Sequence, residues 1–276
     1  MNNLGRWTDH GRRGIALCSY FDQQKHWPTD GNHIIGNFDE HSITVYQAFM
    51  PEIGLYAAEH KRFEGCGAYG KERMTWIKTN FLWMMYRSGW GTKKNQEVTL
   101  AIKLRRGFFC ELLERAVPAV CYDPEQEKLR TAMDMDRNNI VRLQWDPDHD
   151  PKGLKHPTRR AIQLGLKGYF KDKVTSGEEI LDIVDISSFV AEQRALMDLH
   201  MPTVDTPFPS ELLMPCERLF LPPISLKVYE RIGLSQWDGH VISGTTPLQP
   251  ESPLGLADDM KNNGEGDAVG VLGAAA

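Results

Sequence analysis

Apolar and polar positions change period many times along this 276-residue chain. HSITVYQAF (41–49) is dense in β-branched and aromatic residues and predicts a strand. In the following PEIGLYAAEHKRF, Ile53, Tyr56, Ala57, His60 and Phe63 follow helical spacing, which predicts an amphipathic helix. Pro51 suits its first turn. Three glycines within 64–70 mark a loop. MTWIK (74–78) predicts a short strand. FLWMMYRS (81–88) predicts a helix capped by Thr79 or Asn80 and stopped by Gly89. VTLAIKL (98–104) is apolar on both faces except Lys103, as a central strand is. FFCELLERA (108–116) predicts a helix, and VRLQW (141–145) a strand that DPDHDP ends in a turn. RAIQLGLKG (160–168) and ILDIVDI (180–186) predict further strands, and SSFVAEQRALM (187–197) a last helix. This interleaving predicts an α+β single domain, with a mixed or antiparallel central sheet flanked by short helices.

The ends lack such periods. Residues 1–32 are polar and broken by glycine, and are expected to be poorly ordered. Residues 238–276 are rich in Gly, Pro, Ala and acids, with too little apolar surface to offset ordering entropy, and are expected to be a disordered tail. The folded unit is expected to span 33–237.

The chain is 41% hydrophobic and 25% charged, with a net charge of −5, so it is not globally a basic nucleic-acid binder. Its five cysteines are widely spaced, with no CxxC pair. They predict neither a zinc site nor a disulfide framework, but reduced thiols in an intracellular protein, cytoplasmic or nuclear. No apolar run is long enough to span a membrane. The histidines show no ligand spacing, and no metal site is expected. GxGxxG after a strand, GxxxxGK[ST], HExxH and GxSxG are absent, which removes the common dinucleotide, P-loop, zincin and α/β-hydrolase readings.

MTWIKTNFLWMMYRSGWG (74–91) packs three tryptophans, a lysine and an arginine into eighteen residues. Between Lys61 and Arg115, twelve Lys or Arg face five Glu, and Lys152–Lys173 adds seven cations against one acid. Cations beside aromatics suit a phosphate-bearing ligand or a nucleic-acid backbone with stacked rings. Arg73, Lys78 and Arg87 are the candidate phosphate contacts. Trp76, Trp90 and Tyr46 are the candidate stacking surfaces. Phe81, Trp83, Met84 and Met85 also fit the buried stripe of an amphipathic helix. Gln47, between Val45 and Phe49, needs a hydrogen-bond partner if its face is buried. Asp146 and Asp148, with His149, offer acid–base groups or carboxylates for Mg²⁺, or simply cap their own turn. Alternation places Ala161, Gln163 and Gly165 on one face of their strand, and Ile162, Leu164 and Leu166 on the core side.

VYQAF with PEI, RMTWIKTNFLWMMYRSGWGT, LQWDPDH and AIQLGLKG together resemble domain of unknown function 4291, over about 33–221. More distantly, the order of elements resembles ADP-ribosyltransferases that modify nucleic-acid bases. By that resemblance TVYQAF is the first strand, TWIKTNFLWMMYRSG the strand–helix unit and RRAIQLGL the catalytic strand. Gln47 stands where that family has His or Arg, and Gln163 where it usually has Glu. The resemblance implies NAD as cofactor, with Trp76 or Tyr46 on the nicotinamide, Arg73 and Lys78 on the pyrophosphate and Gln163 on the ribose. The expected function is binding of a nucleotide-containing ligand in a basic, aromatic cleft, with ADP-ribosyl transfer to a nucleic acid or small molecule. The alternatives are a non-catalytic nucleic-acid-binding module and a Mg²⁺-dependent phosphoester enzyme using Asp146 and Asp148.

Overall fold

The computed structural model describes residues 14–237, apart from 71, 120–127, 129–138, 202 and 204–206. In chain order the elements are β1 (Leu17–Ser19), α1 (Tyr20–Gln24), β2 (Gly31–Asn32), β3 (Ile35–Gly36), β4 (Ser42–Phe49), α2 (Pro51–His60), β5 (Thr75–Lys78) and α3 (Phe81–Ser88). There follow β6 (Val98–Arg105), α4 (Arg106–Arg115), β7 (Val117–Pro118), β8 (Asn139–His149), β9 (Lys155–Gly168), α5 (Tyr169–Thr175), β10 (Ile180–Asp185), α6 (Ser187–Leu199), β11 (Leu213–Pro215), β12 (Arg218–Leu219) and α7 (Leu226–Ile232).

Among the described residues, eight strands form one sheet in the order β10-β6-β4-β5-β9-β8-β7, with β2 also beside β9. The β7–β8 and β2–β9 pairs are parallel and the others antiparallel, so the fold is the mixed α+β sheet that the sequence predicts. β4 and β6 pair along their whole length, from Ser42↔Arg105 to Phe49↔Val98. Both strands are covered on both faces, which explains their near-continuous apolar runs.

The first core contains Ile43, Val45, Ile77, Leu100, Ile102, Ile162, Leu164 and Leu166, with Ile53 and Ala57 of α2 and Phe108, Phe109 and Leu112 of α4. The opposite core contains Tyr46 and Ala101 with Phe81, Leu82, Met84 and Met85 of α3 and Phe189 and Val190 of α6. The period-2 alternation of β9 therefore has its apolar residues on the core side, as expected.

α3 is fixed at both ends. The Asn80 side chain accepts from the Trp83 N–H at 2.8 Å, and Gly89 closes the helix in the left-handed region at φ 59°. Buried Glu217 accepts from the Phe81 N–H at 2.8 Å. Burial pushes the Glu217 carboxyl well above the usual carboxylate range, against the lowering effect of that N–H.

Several expectations are corrected. Residues 14–32 are not poorly ordered: they supply β1, α1 and β2, and Tyr20 and Trp27 are buried in the second core. Residues 1–13 and the tail from 238 lie outside the described residues. The cysteines are not all reduced thiols. Cys18 and Cys216 form a disulfide with Cα atoms 4.9 Å apart, because the antiparallel β1–β11 pair brings residues separated by 198 positions together. Cys66 and Cys110 are free. DPDHDP does not end the strand at Trp145: β8 runs on through His149, with a register irregularity between Pro147 and His149 where proline has no N–H to give the ladder. The turn comes later, where Asp150 accepts from the Leu154 N–H at 2.8 Å. Among the described residues, no helix is long and apolar enough to cross a membrane.

Candidate functional site

β4 and β5 share one rung, Tyr46↔Lys78. Beyond it the strands form no further pair, although each continues. A cleft of about 660 Å³ opens at this parting. The end of β4 and the start of α2 line one side (Gln47, Ala48, Phe49, Met50 and Ile53), and β5 lines the other (Thr75, Trp76 and Lys78). Tyr69, Gly70 and Arg73 come from the glycine-rich loop and its continuation, Trp83, Met84 and Arg87 from α3, and Gln163 from β9.

Gln47 spans the parted strands. Its amide N–H groups donate to Thr75 Oγ1 at 2.8 Å and to the Trp76 carbonyl at 2.9 Å. This supplies the partner that a glutamine on a buried face requires. Its carbonyl oxygen has no hydrogen-bond partner among the described residues, and neither has the Trp83 indole N–H. Both side chains are at least nine-tenths buried. Buried polar atoms are rarely left this way, and two of them border one cleft.

Trp76 lies opposite Gly165 on β9. A Cβ on Gly165 would stand 2.9 Å from the Trp76 ring and 2.6 Å from Met74 Sδ. The glycine allows the indole to settle onto the neighbouring strand, which fixes its orientation in the cleft wall.

Lys78 lies opposite both Tyr46 and Gln163. It is only 6% exposed. Its Nζ sits 4.7 Å from the centre of the Trp83 ring and donates to the Trp76 carbonyl at 3.4 Å. No carboxylate comes within ion-pair distance of it among the described residues. Burial, and then the nearby Arg87 guanidinium, push its ammonium down to about 7, while Asp146 acts in the opposite sense.

The Gln163 amide donates to Gln144 Oε1 at 2.7 Å and to Asp146 Oδ2 at 2.6 Å. Both N–H groups are spent, and its carbonyl oxygen alone remains to accept from a ligand. Burial raises the Asp146 carboxyl, while the Gln163 amide and the Lys78 charge lower it. The Trp83 indole faces Asp146 without closing a hydrogen bond. Arg73 is exposed and forms no ion pair among the described residues, and Arg87 meets only the Gln96 side chain at 3.4 Å. Neither guanidinium is neutralised by a carboxylate among the described residues.

Of the residues singled out by sequence, Gln47, Arg73, Trp76, Lys78, Arg87 and Gln163 line this one cleft. Asp146 stands beside Gln163 on β8. The structure does not bring the other three there. Tyr46 lies in the second core, its ring 5.6 Å from Phe81, because alternation turns it away from Gln47. Trp90 packs at 5.8 Å on Phe81 and donates from its indole to the Pro151 carbonyl at 3.1 Å. Asp148 is 1% exposed and pairs with Arg159 at 2.6 Å. It is committed to holding β8 on β9 and shares no site with Asp146. Among the described residues, no three His, Cys, Asp or Glu side chains gather closely enough to hold a metal ion.

Tyr69, Phe49 and Thr75 also line the cleft, and Gln144 holds the Gln163 amide, although the sequence does not single them out. Phe49 and Thr75 carried no signal of their own, since any strand end holds such residues. Tyr69, in a loop of three glycines, was the available clue. Trp83 fitted the buried stripe and is indeed buried, yet its indole also forms cleft wall.

The geometry defines an α+β domain with an aromatic, cation-rimmed cleft at a split in its sheet. The chain belongs to the family described as Domain of unknown function (DUF4291), which matches residues 33–220 and so takes in every residue lining the cleft. No curated protein matches the sequence.

Proposed function

We propose that this cleft binds a nucleotide-containing ligand and that its specific chemistry is ADP-ribosyl transfer from NAD. The observation that carries the reading is the meeting, in one cleft, of the Trp76 ring, two guanidiniums without carboxylate partners and two orphaned buried polar atoms. In this reading Trp76 stacks on a flat ring, with Tyr69 and Phe49 nearby. Arg73 and Arg87 take the phosphates. The orphaned Gln47 oxygen accepts from a ligand hydroxyl or amide, and the Trp83 indole donates to a ligand oxygen. The Gln163 oxygen orients the ribose.

The carboxylate absent from position 163 stands one strand away, at Asp146, 2.6 Å from the Gln163 amide. Its charge supports an oxocarbenium-like centre electrostatically, through a polarised amide. Lys78 is not a fixed countercharge for pyrophosphate, since its ammonium is only partly populated near neutral pH.

A second reading, a nucleic-acid-binding module without chemistry, is favoured by the amide at 163 and by the basic character of the segment around the cleft. Calorimetric titration with NAD, ADP-ribose, AMP and a single-stranded RNA, together with an NAD-hydrolysis assay, separates the two. NAD binding that weakens at least tenfold in Arg73→Ala, with hydrolysis above background, supports the first reading. RNA binding without NAD binding supports the second, and binding of neither class overturns both.

A further inference from the structure

Lys78 stands out among the charged groups of the cleft. Lysines are almost never buried without a partner. This one lies in the cleft wall with its stem inside the sheet. Its Nζ has one long hydrogen bond, to the Trp76 carbonyl at 3.4 Å, and an indole ring 4.7 Å away. No carboxylate pairs with it among the described residues. The charged groups that bear on it are Arg87 of α3, which opposes its protonation, and Asp146 of β8, which favours it. Desolvation and a neighbouring cation are two ways by which an amine is kept as a nucleophile rather than an ammonium.

We propose that Lys78 is the reactive amine of the cleft and forms a covalent imine with a phosphate-bearing aldehyde or ketone. This rests on the reading of the cleft as a phosphate-ligand site. An open-chain ribosyl phosphate, such as the free aldehyde form of ADP-ribose, is a ligand of this class. The Nζ lone pair attacks the carbonyl carbon, and the carbonyl π pair moves to oxygen, which takes up a proton. Nitrogen gives up its first proton to leave a neutral carbinolamine. The hydroxyl takes up a second proton and leaves as water while the nitrogen lone pair forms the C=N bond, and the iminium nitrogen then gives up its second proton. The net change is amine plus carbonyl to imine plus water, with no redox partner. Asp146, whose carboxyl is raised by burial, is the nearby acid that can lend and recover the proton. Arg73 and Arg87 hold the phosphate.

The probe is pyridoxal 5′-phosphate, which carries both an aldehyde and a phosphate. Pyridoxal, which lacks the phosphate, is the control. The full chain is incubated with each probe, reduced with borohydride and mapped by peptide mass spectrometry. The expected result is one dominant adduct, on Lys78, formed at least tenfold faster with the phosphate ester. Its rate should be half-maximal at a pH of about 7, where the amine loses its proton. Arg73→Ala should slow labelling by the ester without slowing labelling by pyridoxal. Lys78→Met should remove the adduct, and the mapping of the unaltered protein stands even if that variant fails to fold. Labelling spread evenly over exposed lysines, or a half-maximal pH near that of a free lysine, overturns the proposal. AMP, which has no carbonyl, separates the two layers. AMP that binds and protects Lys78 supports both, whereas AMP that binds a protein forming no Lys78 adduct overturns this proposal alone.

Discussion

The Gln163 side chain donates to the Asp146 carboxylate at 2.6 Å across the β8–β9 pair, and to Gln144 at 2.7 Å. An amide there reconciles two oxygen acceptors that would otherwise face each other. A glutamate at the same position cannot do so while ionised.

Gln163→Glu therefore places two carboxylates in contact, and one of them must hold a proton. A carboxyl whose folded pKa is raised stabilises the fold below its ordinary value and loses that contribution as pH rises. The variant should match the parent near pH 4.5 and be less stable by about 1–3 kcal/mol at pH 8. Urea unfolding at the two pH values checks this. Equal losses at both would show that the charge pair is relieved by rearrangement. The same substitution tests whether a carboxylate at 163 raises NAD hydrolysis, measured at pH values where the variant remains folded.

Lys78→Met should stabilise the protein below neutrality. With a folded pKa of about 7, the amine resists protonation in the cleft, whereas the unfolded chain binds the proton up to its ordinary value near 10.5. The penalty is complete below pH 7 and fades between pH 7 and 10.5. The gain for Lys78→Met should be a few kcal/mol at pH 6 and nearly vanish at pH 10. A gain independent of pH would mean that packing, not charge, is responsible.

Gly165→Ala adds a methyl group that would meet the Trp76 ring at 2.9 Å and Met74 Sδ at 2.6 Å. Shifting a packed ring costs about 1–3 kcal/mol. Both the tryptophan emission and the affinity for ring-bearing ligands should change. An unchanged spectrum with unchanged stability would show that the indole is not held by this close approach.

Reduction of the Cys18–Cys216 bond should lower the melting temperature, since the bond closes a loop of 198 residues between β1 and β11. Loss of a native disulfide costs about 2–5 kcal/mol. Cys18→Ser should reproduce the loss and be insensitive to reductant. If mass spectrometry of the non-reduced protein shows four or more free thiols, this bond is absent.

Local physics is written plainly in this chain. Pro51 begins α2, Asn80 and Gly89 bracket α3, and the alternation of β9 sends Ile162, Leu164 and Leu166 to the core and Gln163 away from it. These features follow from periodicity and caps, which neighbours in sequence decide among themselves. The aromatic and cationic run at 74–91 contributes to the wall of the cleft, but its periodicity does not say how its residues divide. Trp76, Lys78, Trp83 and Arg87 reach the cleft, whereas Phe81, Met85 and Trp90 fill the second core. That sorting depends on the angle at which α3 crosses the sheet, which no periodicity specifies. Long-range pairing decided the rest. The single Tyr46↔Lys78 rung opens the cleft, β9 places Gln163 opposite Lys78, and β11 brings Cys216 to Cys18. The burial that disarms the Lys78 charge, and the ion pair that claims Asp148, belong to that same tertiary level. Both depend on which strand lies beside which, and that is fixed only when the whole sheet closes over its two cores.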